Sequence, residues 1–181
     1  YQAVPDFAIT PPKGPGQAWT IATASKHANP GQFKNASFEN GRSLFHAVGC
    51  AACHRLGGFG GDIGPDVTSI RNKFDTAYVL ESIIDPSKVI SDQYGSSMVT
   101  TKGGAVHTGL VVERGDTLEI YPPDAKAEPV KVTRADVAKI ERTPVSQMPP
   151  GLINLLSGDE VRDLMAYLMS AGDPKDKVYG K

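Results

Sequence analysis

Between residues 95 and 142 the hydrophobic pattern of this chain changes period, and that change limits what the whole can fold into. The stretch SSMVTTKGGAVHTGLVVERGDTLEIYPPDAKAEPVKVTRADVAKIERT offers short β-branched runs at 96–101, 105–112, 117–121, 130–134 and 137–142. Turn residues separate them: Gly103-Gly104, Arg114-Gly115-Asp116 and Pro122-Pro123-Asp124. Alternation is plainest in TLEIY and VKV, which predicts a small antiparallel sheet or an SH3-like barrel. The spacing on both sides is helical, so the β module is expected to interrupt a helical domain.

Upstream, FENGRSLFHAVGC carries Phe38, Leu44, Phe45 and Val48 at spacings compatible with one helical face. Gly41 costs about 1 kcal/mol relative to Ala inside a helix, and close packing against a second helix explains it. That partner is expected near the other end. SGDEVRDLMAYLMSAG opens with Ser157 and Glu160 at capping-box spacing, carries Val161, Leu164, Met165 and Leu168 as an apolar stripe, and closes at Gly172 and Pro174. A third helix is predicted in FDTAYVLESIIDPSKVI, capped by Asp75 and stopped by Pro86, with Tyr78, Val79, Leu80, Ile83 and Ile84 as its body.

The resulting division is an arm or linker at 1–35, a split domain at 36–94 and 143–173, the β module at 95–142 and a tail at 174–181. Pro5, Pro11, Pro12, Pro15 and Pro30 preclude a continuous helix in the arm, where AWTIAT reads as a strand. A net charge of -1 with no basic run argues against nucleic acid as the main partner. No apolar stretch approaches the roughly 18–20 residues needed to cross a bilayer. The opening YQAVPDFAITPPKGPGQ lacks a signal-peptide layout, so the chain as given is expected to be soluble.

The only two cysteines stand in VGCAACHRLGG, at Cys50 and Cys53, with His54 next. Two cysteines do not make a disulfide framework. A C-x-x-C redox pair normally follows a strand, whereas this one follows a helical pattern. A structural zinc needs four ligands, and no second ligand pair is evident. An inert pair of buried thiols is the plain structural alternative. The fourth reading is covalent haem, since C-x-x-C-H presents two sulfurs to two vinyl groups and an imidazole to the iron. The motif alone leaves these open, and the flanks decide.

Terminal helices crossing near a glycine, with C-x-x-C-H just after the first, resemble class I c-type cytochromes. The wider pattern resembles the haem-binding-domain cytochromes often fused to dehydrogenase-like propeller proteins: GRSLFHAVGCAACHRLGGFGGDIGPDVTSI, YVLESIIDPSKVI, a β insertion, then SQMPPGLINLLSGDEVRDLMAYL. The match covers residues 38–170. It implies a mainly α cytochrome c fold with the β module inserted, α+β as a whole. It also implies one covalent haem c held by Cys50 and Cys53, iron bound by His54 and Met148, and the Pro65 carbonyl accepting the His54 Nδ1 hydrogen.

Met148 stands before two prolines, which hold its segment extended. His27, His46 and His107 are the alternative sixth ligands, while Met98, Met165 and Met169 read as packing residues. His/Met ligation raises the potential relative to two histidines and leaves no open position, which favours electron transfer over catalysis. The expected function is a periplasmic or otherwise extracytoplasmic single-electron carrier, not an enzyme. Its redox partner, by the resemblance, is a carbohydrate or alcohol dehydrogenase. The rivals are a haem sensor with displaceable Met148 and a peroxidase-type enzyme using His107.

Overall fold

The computed structural model describes residues 6–124 and 127–180. The first five residues of the expected arm, Pro5 among them, and Lys181 of the expected tail lie outside it. Pro86–Pro149 form one compact unit, and the described residues on either side of it form the other.

In the second of these, helix α1 (Ile21–Ala24) is a single turn closed by a reciprocal Thr20–Thr23 capping box. The AWTIAT segment is therefore not a strand. A 3-10 turn at Pro30–Asn35 precedes helix α2 (Phe38–Ala47), whose N-cap Ser37 accepts from the Asn40 amide. One further turn, α3 (Cys50–Cys53), leads into a two-residue-per-strand hairpin, β1 (Arg55–Leu56) and β2 (Phe59–Gly60). Helix α4 (Thr76–Ile84) starts at Asp75, whose carboxylate accepts from the Tyr78 amide. Helix α5 (Gly158–Met169) starts at Ser157 with Glu160 completing a capping box.

Helices α2 and α5 meet at Gly41, where a Cβ would lie 2.2 Å from the Asp163 carbonyl oxygen and 2.7 Å from Tyr167 Cβ. Only a residue without a side chain permits that approach. Around the crossing Phe33, Leu44, Phe45, Leu80, Leu156, Val161, Leu164 and Met165 are fully buried. Residues 6–20 are tied to the same core. Thr10 N–H donates to Ser43 Oγ at 2.8 Å, and the Lys13 and Gly14 amides donate to the Glu160 carboxylate at 2.6 and 3.1 Å. Buried Trp19 donates its indole N–H to Leu156 O at 3.0 Å.

The unit Pro86–Pro149 is an antiparallel sheet of β3 (Gly95–Thr101), β4 (Val106–Arg114), β5 (Thr117–Tyr121), β6 (Val130–Thr133) and β7 (Val137–Ser146), in the order β6-β5-β4-β3-β7. Strand β4 pairs with β3 through Gly109 and with β5 from Leu110 onward. Its core is small: Val99, Ile120 and Val132, with Val111 and Val137 against them.

The expectation of a mainly α cytochrome c fold is overturned. Among the described residues helix, 3-10 turns included, accounts for 34% and strand for 23%, and only α2, α4 and α5 reach seven α-helical residues, which makes the architecture mixed. The physical reason lies on both sides of the balance. The Gly- and Pro-rich arm holds only the single turn α1 and one 3-10 turn between loops, and the segment after His54 forms the β1–β2 hairpin, loops and a 3-10 turn, while β4 and β7 run on to Arg114 and Ser146. Among the described residues no helix is long and apolar enough to cross a membrane.

Candidate functional site

The turn Cys50–Cys53 is set off from α2 by Gly49 in the left-handed region (φ 89°). It is then gripped from behind by the next stretch of chain. His54 N–H donates to Cys50 O at 2.9 Å, Gly61 N–H to Ala51 O at 2.9 Å and Gly64 N–H to Cys53 O at 2.9 Å. A Cβ at Gly60 would stand 2.1 Å from His54 O, one at Gly61 2.3 Å from Ala52 O, and one at Gly64 2.8 Å from His54 Cε1. Three glycines thus let main chain and imidazole pack against the turn where side chains would collide.

The His54 imidazole is fixed at one nitrogen. Its Nδ1 lies 2.9 Å from Pro65 O, and because a carbonyl only accepts, Nδ1 carries the hydrogen and Nε2 the lone pair. Among the described residues Nε2 takes no hydrogen bond. Burial lowers the His54 pKa, outweighing the Pro65 bond that raises it, so the ring is held neutral.

Cys50 and Cys53 are free thiols. Burial pushes Cys50 up to about 12 and raises Cys53 as well, so both are protonated at neutral pH. A C-x-x-C oxidoreductase needs the opposite shift, a thiol lowered toward thiolate. Among the described residues no group of three or more His, Cys, Asp or Glu could hold a bare metal ion. Two neutral thiols on one turn beside an oriented imidazole suit a group bound through sulfur–carbon bonds and one nitrogen–metal bond. That is the donor set of covalent haem.

Cys50, Cys53, His54 and Pro65 are therefore brought together. Met148 belongs to the other unit, where it is half-buried and its amide donates to Ser146 Oγ at 3.1 Å. The histidine alternatives are engaged in packing: His27 stands edge-on to Trp19, and His46 to Phe7 and Phe45. His107 lies in β4 opposite Val99. Met165 and Met169 are buried on α5, and Met98 is in β3. A cavity of about 310 Å³ is lined by Trp19, Ile84, Pro150, Gly151, Ile153 and Asn154, and Cys50, Cys53, His54, Pro65 and Met148 are not in its lining.

Sequence reasoning missed Gly60 and Gly61 as elements of the site. The density of glycine in GGFGGDIGP was the available signal. No protein-family model matches the chain, and no curated protein matches it.

Proposed function

We propose that this chain carries one covalently bound haem and works as a single-electron carrier of the c-type cytochrome kind. The supporting observation is the His54 imidazole, tied through Nδ1 to Pro65 O at 2.9 Å, directly after two free thiols on one helical turn. Cys50 and Cys53 would hold the group through thioether bonds and His54 would be an axial ligand through Nε2. The Pro65 carbonyl orients the ring and makes Nε2 a better donor. When bound, the iron supplies a one-electron Fe(III)/Fe(II) couple.

Met148 would hold the iron as its second ligand, a reading that rests on its sequence setting before Pro149 and Pro150. A neutral thioether favours the reduced state relative to a second imidazole. With His54 and Met148 both holding the iron, the group would pass electrons rather than activate oxygen or peroxide. The proposed partner is a redox protein, a carbohydrate or alcohol dehydrogenase, and the proposed location is periplasmic or otherwise extracytoplasmic, where haem c is attached.

Oxidised and reduced spectra with a pyridine haemochrome assay test the reading and should show one haem c per chain. Replacing Met148 by Ala should lower the potential and admit carbon monoxide. An unchanged reduced spectrum in that variant would contradict the ligand assignment. Ready carbon monoxide binding by the unaltered ferrous protein would point to a sensor instead.

A further inference from the structure

The Met148 segment leaves β7 through an irregularity in the ladder. Ser97 pairs with Arg142 and Gly95 with Ser146, so a step of two residues on β3 faces a step of four on β7. The extra residues include Pro144, which has no amide to give to the ladder. Such a bulge bends a strand and re-aims the residues beyond it.

Those residues are bracketed by side chains. Gln147 Nε2 donates to Tyr121 O, at the end of β5, at 2.6 Å, and Gln147 Oε1 accepts from Ser96 Oγ, on β3, at 2.7 Å. Ser96 is 3% exposed, so this contact is shielded from water. Thr143 Oγ1 also reaches Ser96 O at 3.3 Å, and Ser146 N–H donates to Ser87 Oγ at 3.1 Å. Two strands that are not neighbours in the sheet thus converge on the residue immediately before Met148.

We propose that the β unit is the mount for Met148 and that Gln147 is its positioning residue. The proposal rests on the reading of Met148 as an axial thioether. It assigns the inserted sheet a task beyond covering: fixing the strand end at residues 146–148, from which the Met148 thioether would be presented.

The test uses the full haem-loaded chain with Gln147→Ala, Ser96→Ala, Ser96→Thr and, as a control elsewhere in the sheet, Lys131→Ala. Two readouts are taken: amide hydrogen exchange over residues 146–148, and the red charge-transfer band that a thioether–iron bond gives. Gln147→Ala should speed exchange about ten-fold, the effect of losing one or two buried hydrogen bonds, and weaken the band. Ser96→Ala should do so to a smaller extent, with Ser96→Thr restoring both because it keeps the hydroxyl. Lys131→Ala should change neither. Should Gln147→Ala fail to fold, the Ser96 pair carries the test. Unchanged exchange and band in Gln147→Ala or Ser96→Ala, with haem and band intact in the parent, overturns the mount alone. A parent with haem but no thioether band overturns it together with the Met148 assignment.

Discussion

The two segments that carry the proposed axial ligands are held by different means. His54 ends a turn clasped by main chain: two backbone hydrogen bonds from Gly61 and Gly64, and glycines at 60, 61 and 64 where any Cβ would strike backbone or the imidazole itself. Met148 comes after a strand end fixed by a bulge and by the side chains of Gln147 and Ser96. Backbone clasping is all-or-none, because a peptide carbonyl 2.1 Å from a new methyl cannot move without unmaking the turn. Side-chain bracketing is graded, because each hydrogen bond is removed separately at a modest net cost.

The sharpest way to break the contrast is Gly60→Val. Gly60 combines a φ of 114° with a Cβ position 2.1 Å from His54 O, so strain and overpacking add. The expected loss is about 4 kcal/mol, read from urea midpoints, with loss of haem retention. A variant that keeps parental stability would show that the turn yields more readily than its contacts imply.

The cores differ in the same sense. Leu164 is 1% exposed in the broad core around the α2–α5 crossing, and Leu164→Ala should cost about 3 kcal/mol. Val99 is fully buried in the thin core of the sheet, where Val99→Ala removes two methyl groups and should cost about 1.5 kcal/mol. Equal losses by chemical denaturation would contradict the difference in core depth.

The smallest effect expected concerns acid. Glu160, 4% exposed, accepts from the Lys13, Gly14 and Ser157 amides. These bonds outweigh burial, which acts in the opposite direction, and hold its pKa below the ordinary 4.5. A carboxyl lowered in the folded state contributes stability above its unfolded pKa and loses it as pH falls through the folded value. Stability of the parent should therefore decline below about pH 4.5, and Glu160→Gln should flatten that decline while lowering stability at pH 7 by about 1 kcal/mol. A parallel pH profile in the variant would remove Glu160 as the source.

Much of the helical unit was legible because its signals are local. Ser157 with Glu160 and Asp75 before Tyr78 are caps written within four residues of the helices they start, and Gly41 announces a close crossing whose partner carries its own stripe. The mixed proportions of the fold were not legible. Helical periodicity marks where helices stand, while the turns and loops of the glycine- and proline-rich stretches leave no such period. AWTIAT misled for a related reason: Trp19 and Ile21 alternate like a strand, yet the Thr20 hydroxyl caps a helical turn and the Trp19 indole is held by Leu156, far along the chain.

At the candidate site the same rule holds. Cys50, Cys53 and His54 are adjacent in the chain and could be read directly, and Pro65 entered through the resemblance. Gly60, Gly61 and Gly64 were visible as glycines, but their purpose depends on which carbonyl or ring lies behind each one. Gln147 carried no signal, because its partners Ser96 and Tyr121 lie 51 and 26 residues away and only the sheet brings them to it.

Covalent attachment of haem to Cys50 and Cys53 is decided by intact-mass measurement after production with an extracytoplasmic haem-attachment pathway, followed by peptide mapping. The expected chain is heavier by one haem, with the added mass confined to the peptide spanning Cys50–His54 and no thiol left to titrate. A chain of unmodified mass with both thiols titratable would contradict the attachment.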